Sequence, residues 1–236
     1  MTTQTTSTAA PVAILGMHRS GTSCLAGSLE EAGLFLGEVN TQAPFNARGN
    51  RENRAIMDLH DDVLRANGGA WDQAPREPVA WTAEQRARLR ELIDGFPTDR
   101  VWGFKEPRSL LVLDGWIEAL PALRFVGTFR HPLAVAASLA ARNQFDTDTS
   151  FRIWLAYNRR LLAYQQRYRF PLVSFDWPHE RYLHALEALA AQLGLAPPAG
   201  GFQFFARELR KNSATPDVGL PPAVREVYAR LLSIAA

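Results

Sequence analysis

A glycine-bounded loop between an apolar run and a helix-periodic segment constrains the fold of this chain more than any other feature. Residues 12–15 form the apolar run, residues 16–23 form the loop, and residues 24–32 are amphipathic. Strand, loop and helix in this order direct backbone N–H groups and a helix N-terminus toward one point, where they bind phosphate. The two glycines have P-loop spacing, but Thr22 stands where a nucleotide triphosphatase carries its lysine. The loop therefore predicts a phosphate site that does not serve triphosphate chemistry.

Short apolar runs alternate with longer helix-periodic segments along the chain, a pattern typical of a parallel sheet with crossover helices. Strands are predicted over residues 12–15, 100–104, 124–128 and 171–175. Helices are predicted to begin after Gly21, near Arg51, after Thr82, near Ser109, after His131, near Thr149 and after Pro178. We expect an α/β protein with a single-domain, P-loop-type, three-layer αβα fold around a central parallel sheet. Residues 1–11 are expected to form a flexible tail and residues 12–236 the domain.

Composition limits the classes of function. Of the 236 residues, 47% are hydrophobic and 21% are charged, which suits one packed domain. The 26 Lys and Arg residues against 24 Asp and Glu residues give a net charge of +2, too small to require nucleic acid as a partner. A single cysteine excludes an internal disulfide and a thiolate metal cluster. With no signal peptide and no apolar stretch near the roughly 18 residues that span a bilayer, we expect a cytoplasmic protein.

A second basic cluster follows the predicted strand over residues 124–128. Arg130 lies at the carboxyl end of that strand, Ser138 comes eight residues later and Arg142 four residues after that. On a helix these offsets correspond to about 80° and about 40°, so the three side chains could converge on one anion. Two separate phosphate sites are what a 3′,5′-bisphosphorylated nucleoside needs, whereas an ordinary ATP enzyme has no use for the second.

A third cluster of charge ends the predicted strand over residues 100–104. Lys105, Glu106 and Arg108 follow it directly, and Pro107 forces the chain to turn. The charges therefore lie at the carboxyl edge of the sheet, where ligands bind in open α/β folds.

These segments resemble the motifs of sulfotransferases that use 3′-phosphoadenosine 5′-phosphosulfate (PAPS), most closely those of tyrosylprotein, carbohydrate and bacterial enzymes. The family's loop reads Pro or His, then Arg or Lys, then Ser-Gly-Thr-Thr or Ser-Gly-Thr-Ser, and residues 18–23 match it. The resemblance implies that Arg19 faces the oxygen bridging phosphate and sulfate. It also implies that the 5′-phosphate is held by Ser20, Gly21, Thr22 and Ser23.

The resemblance extends to the other two clusters. The family's 3′-phosphate motif begins with Arg and reaches Ser eight residues on, as Arg130 and Ser138 do, and tyrosylprotein sulfotransferases add an Arg at the position of Arg142. Lys105 would help to neutralise the transferring sulfate. Arg210 and Lys211 resemble the Arg-Lys-Gly that clamps the 3′-phosphate in cytosolic enzymes, although Asn212 replaces the Gly.

An alcohol acceptor needs a base, because a hydroxyl of high pKa attacks poorly until its proton is leaving. Cytosolic sulfotransferases use a His where this chain has Pro107. A carboxylate is therefore expected, with Glu52 first and Glu38 and Glu106 as rivals. No metal is expected, and the acidic run over residues 58–62 is interpreted as a solvated helix face.

The sequence thus predicts a PAPS-dependent sulfotransferase that releases adenosine 3′,5′-bisphosphate (PAP) and sulfates a hydroxyl of a glycan, glycolipid or small metabolite. Two alternatives stay open at this stage. One is a P-loop kinase or nucleotidase using ATP and magnesium, and the other is a catalytically silent nucleotide-binding module.

Overall fold

A computed structural model describes residues 10–44, 46, 48–205 and 219–235. Four parallel strands form its sheet in the order β2-β1-β3-β4. They are β1 (Val12–Leu15), β2 (Gly103–Lys105), β3 (Arg124–Phe129) and β4 (Leu172–Ser174). Each lies within or overlaps a predicted strand, so the predicted parallel sheet is confirmed.

Eight helices surround the sheet in the described part of the chain. They are α1 (Thr22–Glu31), α2 (Arg54–Ala66), α3 (Ala83–Asp94), α4 (Ser109–Ala119), α5 (Pro132–Asn143), α6 (Thr147–Tyr168), α7 (His179–Leu193) and α8 (Pro222–Ile234). Two begin away from the predicted residue because of their caps. Helix α2 begins at Arg54, three residues after the predicted 51, because the side chain of Asn53 caps it by accepting from the N–H groups of Ala55 and Ile56. Asp146 caps α6 ahead of the predicted Thr149. Helix α8 was not predicted.

The sheet is buried on both faces, which makes this a three-layer αβα domain. Along β1, Ala13 and Leu15 belong to one apolar cluster, with residues of α2, α4, α6 and α8, while Val12 and Ile14 belong to the other, with residues of α1 and α7. Strands covered on both faces have continuous apolar runs rather than alternation, which explains why β1 is apolar throughout. Within the described ranges, no helix has the length and apolarity needed to cross a bilayer.

This topology brings three of the charged segments to one edge. The residues that follow β1, β2 and β3 are the loop from Gly16, the segment from Glu106, and Arg130. Because the strands are parallel, their carboxyl ends meet there. Glu52 reaches the same edge from the segment before α2, where its Oε1 accepts from Nζ of Lys105, the last residue of β2, at 2.5 Å.

Candidate active site

The loop after β1 has the geometry of an anion-binding turn. Gly21 precedes α1 with φ of 86°, and a Cβ at this position would lie 2.3 Å from Cδ2 of Phe175, so glycine is required. No side chain of the N-cap covers the first turn of α1. Ser20 is fully buried, and its Oγ has no hydrogen-bond partner in the described structure. Unsatisfied donors at the start of a helix form a binding site for a phosphate group.

Arg19 joins this loop to the second predicted motif. Its Nε donates a hydrogen bond to Oγ of Ser138 at 2.7 Å, across 119 positions of sequence. Burial, and then the nearby guanidinium groups of Arg142 and Arg130, together lower the pKa of Arg19 to about 10. Cations that disfavour one another in this way are stabilised when an anion binds among them.

Arg130 is oriented by Asp176, which was not among the predicted site residues. Its Nε lies 3.3 Å from Oδ1 of Asp176, just after β4, and its guanidinium lies 5.1 Å above the ring of Phe175. Asp176 also accepts a hydrogen bond from the backbone N–H of His131 at 2.6 Å. The sequence did contain a signal for this residue. Asp176 directly follows the predicted strand over residues 171–175, and other charged site residues also follow predicted strands.

Arg142 packs beside Trp71 and lies near Arg19. Its guanidinium is 5.3 Å from the ring centre of Trp71, and its Nε donates to Oδ1 of Asn143 at 2.6 Å. Burial lowers the pKa of Arg142, and the Glu52 carboxylate opposes this shift. Arg142 therefore lies near both Arg19 and Glu52, and not only near the predicted 3′-phosphate residues Arg130 and Ser138.

Lys105 and Glu52 form a buried ion pair. Nζ of Lys105 lies 2.5 Å from Oε1 of Glu52, and their side chains are only 1% and 9% exposed. Burial lowers the pKa of Lys105, while the charge and hydrogen bond of Glu52 oppose that shift. A cation and a carboxylate are thus held in contact beside the phosphate loop.

Glu106 has both carboxylate oxygens occupied. Oε2 lies 2.6 Å from Nδ1 of His60, and Oε1 accepts from Nη1 of Arg108 at 2.5 Å. Burial alone raises the pKa of Glu106, but the hydrogen bond from His60 and the charge of Arg108 outweigh it and hold the pKa at about 2. Glu106 is therefore an ionised anchor whose two oxygens both contact side chains of the protein.

His18 forms part of the cleft wall. Its ring packs against Trp71 at 4.8 Å and Tyr157 at 5.7 Å between centres, and its Nδ1 is buried with no partner in the described structure. Burial, and then the charge of Arg108, lower the pKa of His18 well below its usual value. The imidazole is consequently neutral at physiological pH.

These groups surround one cleft of about 360 Å³. It is lined by His18, Arg19, Thr22, Ser23, Asn50, Glu52, Met57, Trp71, Lys105, Pro107, Arg108, Arg142 and Asn143. Four of the predicted site residues are not among those that line this cleft: Ser20, Gly21, Arg130 and Ser138. Glu38 is exposed and outside it. Arg210 and Lys211 lie outside the described residues. His18, Trp71 and Arg108 were not predicted as site residues.

The acidic run over residues 58–62 does not form a metal site. In the described ranges no group of three or more His, Cys, Asp or Glu side chains could hold a metal ion. The prediction of a solvated face is wrong for His60, which is fully buried, because Glu106 and Trp116 occupy its two ring nitrogens. Asp61 and Asp62 instead form ion pairs with Arg108 and Arg88.

A glycine-bounded loop between strand and helix, at the carboxyl edge of a buried parallel sheet, defines a P-loop-type α/β fold. The chain belongs to the sulfotransferase family: residues 11–184 match the model of that family. It catalyses sulfuryl transfer of the general kind that defines this family.

Solved structures share the fold. The sulfotransferase domain of a Synechococcus olefin synthase superposes with a TM-score of 0.56 and 18% identity over 94% of this chain and 93% of that domain. A sulfotransferase from Mycobacterium avium gives a TM-score of 0.51 and 13% identity over 96% of this chain and 76% of that one. A search of curated proteins gave no significant match.

Proposed function

We propose that this sulfotransferase uses PAPS as its donor and sulfates a hydroxyl of a glycan, glycolipid or small metabolite. The hydrogen bond from Arg19 Nε to Ser138 Oγ carries this proposal, because it joins the phosphate loop to the second basic motif at one edge. A donor with phosphate groups at both the 5′ and 3′ positions needs two adjoining anion sites. A nucleoside triphosphate needs one site and the loop lysine that Thr22 replaces.

In this proposal the 5′-phosphosulfate binds at the loop, against the N–H groups of α1 and the hydroxyls of Ser20, Thr22 and Ser23. The 3′-phosphate binds at Arg130 and Ser138. Asp176 positions Arg130, since it holds Nε of that guanidinium and the N–H of the next residue. Arg142 lies close enough to Arg19 to serve the donor as well.

The transfer resembles phosphoryl transfer, with the acceptor oxygen in line with the leaving oxygen. A bond forms between sulfur and the acceptor oxygen, and the bond between sulfur and the bridging oxygen breaks. The electron pair leaves on the 5′-phosphate of PAP, where Arg19 and Lys105 stabilise it. Preorganised cations of this kind typically contribute about 3 kcal/mol each in a site that excludes water. With these two cations in place, the proposal requires no metal ion.

Glu52 accepts the proton of the acceptor hydroxyl. Its carboxylate lies in the cleft beside Lys105, whereas both oxygens of Glu106 are occupied and Glu38 is outside the cleft. The contact with Lys105 supports this role, because it would bring the base and the cation to the same reacting centre. The single cysteine fits a reducing compartment, so we place the reaction in the cytoplasm.

Calorimetric titration with PAP, and separately with ADP plus magnesium, tests the donor. We expect low-micromolar PAP binding that chelator does not change and that a double variant, Arg130→Ala with Ser138→Ala, loses. The matched control is Arg54→Ala, which removes an arginine whose side chain is 82% exposed on α2. Preference for ADP with magnesium, or normal PAP binding by the double variant, would refute the PAPS proposal and favour a kinase. PAP binding without turnover of any acceptor would favour the silent module.

A further inference from the structure

The strand order separates the proposed donor residues from Arg108. Strand β2 lies on one side of β1, and β3 and β4 lie on the other. The proposed 3′-phosphate residues, Arg130 and Ser138, follow β3, so a donor bound at the loop extends from β1 toward β3. The part of the cleft above β2 is left for the acceptor, and Arg108 lines it together with Lys105.

Two carboxylates hold the guanidinium of Arg108. Its Nη1 donates to Oε1 of Glu106 at 2.5 Å, and its Nε lies 2.7 Å from Oδ1 of Asp61, in an ion pair whose angle is too bent for a hydrogen bond. Nη2 makes no hydrogen bond with any residue that the structure describes. Nε is buried and Nη1 is bonded to Glu106, so in a side chain that is 12% exposed Nη2 is the nitrogen left to meet a ligand.

Glu106, which holds Arg108, is itself held by His60 and, through His60, by Trp116. Trp116 Nε1 donates to His60 Nε2 at 2.7 Å. Indole nitrogen can only donate, so Nε2 of His60 is the acceptor in this bond and Nδ1 is the nitrogen that donates to Glu106. Three fully buried side chains thus hold one guanidinium in a single orientation at the cleft.

The charges around Arg108 determine whether it can bind a neutral or a negatively charged group of a ligand. Glu106 and Asp61 together outweigh its single positive charge, and the neighbouring Lys105 is already balanced by Glu52. Another anion at Nη2 would meet two carboxylates close by. A neutral oxygen gains the hydrogen bond without that repulsion.

We propose that Arg108 is an acceptor-recognition residue whose Nη2 donates to a neutral oxygen adjacent to the reacting hydroxyl. The acceptor class is then a polyol, such as a sugar, in preference to an isolated alcohol or a hydroxy acid. This inference rests on the proposed function, because it assumes that the donor occupies the loop.

Three acceptors with one ring test the inference: cyclohexanol, vicinal cyclohexanediol, and cyclohexanol with a neighbouring carboxylate. Each is assayed for sulfated product with PAPS, and its affinity for the PAP-bound protein is measured by calorimetry. We expect the diol to exceed both others by at least about tenfold in kcat/KM, after correction for its two hydroxyls.

The variants are Arg108→Met, which removes the donor, and Arg108→Lys, which keeps a cation beside Glu106 but loses the planar fork. Both should lose the diol preference through a higher KM while PAP affinity is unchanged, and Arg54→Met should behave as the parent protein. Thermal unfolding of each variant checks that it folds. Arg108→Lys keeps the test decisive if Arg108→Met does not fold.

Absence of a diol preference in the parent protein overturns the inference, as does its persistence in Arg108→Lys. Preference for the hydroxy acid would show that Arg108 recognises an anion, which also overturns it. Failure of the parent protein to bind PAP is a different result, since it would refute the donor proposal itself.

Discussion

Replacing Glu106 with Gln should change the acid stability of the protein in a predictable way. Gln keeps the size of the side chain and can still accept from His60, but it has no negative charge for Arg108 and does not titrate. The pKa of Glu106 is about 2 in the folded protein against 4.5 for an ordinary Glu side chain. A carboxylate with a lowered pKa stabilises the fold above its unfolded pKa, and that stabilisation is lost as the pH falls toward its folded pKa.

The magnitude follows from the two pKa values. A difference between 4.5 and about 2 corresponds to about 3 kcal/mol of unfolding free energy at neutral pH. By linkage, about 2 kcal/mol of this is lost between pH 7 and roughly pH 3. The Gln variant should therefore be less stable than the parent by about 3 kcal/mol at pH 7, and the difference should shrink to about 1 kcal/mol near pH 3.

Urea unfolding of both proteins, followed by tryptophan fluorescence at several pH values, measures this difference. Other carboxylates titrate in both proteins, so the difference between their unfolding free energies isolates Glu106. Glu187→Gln is the control, since this carboxylate is exposed on α7 and should change stability little at any pH. If the parent and the Glu106→Gln variant differ by the same amount at pH 7 and pH 3, the reasoning about an ionised buried anchor is wrong.

Three further predictions concern the proposed chemistry. Glu52→Gln should lower kcat by roughly 10²- to 10⁴-fold and leave the Kd for PAP within about threefold, because a general base contributes to the chemical step; equal turnover would exclude it as the base. Activity should decrease as the pH rises, and at a lower pH than the pKa of an ordinary lysine would predict, because burial lowers the pKa of Lys105 and its charged form is lost above that pKa. In the Lys105→Arg variant, whose side chain stays charged, a pH profile of kcat should not show this decrease. Gly21→Ala should weaken PAP binding or folding, because the new Cβ would lie 2.3 Å from Phe175 in a backbone of positive φ; unchanged calorimetric and thermal behaviour would contradict the structural account of the loop.

The sequence predicts those parts of the fold that are determined by residues close together along the chain. Period and length identify the four apolar strands, and glycine spacing identifies the loop after β1. Helix α8 had a usable signal too, since Pro222 begins it and Val224, Val227, Tyr228 and Leu231 repeat at helical spacing on its buried face. Asn53 and Asp146 shift the starts of two helices by forming caps, which a pattern of apolar residues alone does not reveal.

The pairings within the site depend on contacts that are distant in sequence. Glu52 and Lys105 are 53 positions apart, and Arg130 and Asp176 are 46 apart. Residue type and position at a strand end predict that each side chain is near the edge, but not which opposite charge it meets. This is why the sequence left both Glu52 and Glu106 as candidates for the general base. In the structure Glu52 contacts Lys105, whereas Glu106 contacts His60 and Arg108.

The distribution of charge across this edge supports the proposal that one cleft serves an anionic donor and a neutral acceptor. On the β2 side, the cations of Lys105 and Arg108 are in contact with carboxylates, so a neutral hydroxyl compound can enter without meeting uncompensated positive charge. At the loop, Arg19 donates to the hydroxyl of Ser138, and burial with neighbouring guanidinium groups lowers its pKa to about 10. An anion bound there removes the mutual repulsion of those cations, whereas the same anion above β2 would have to displace a carboxylate. In the proposed function, the distinction between the anionic donor and the neutral acceptor rests on Arg108 being held by two carboxylates, Glu106 and Asp61, because Arg130 on the donor side is itself paired with Asp176.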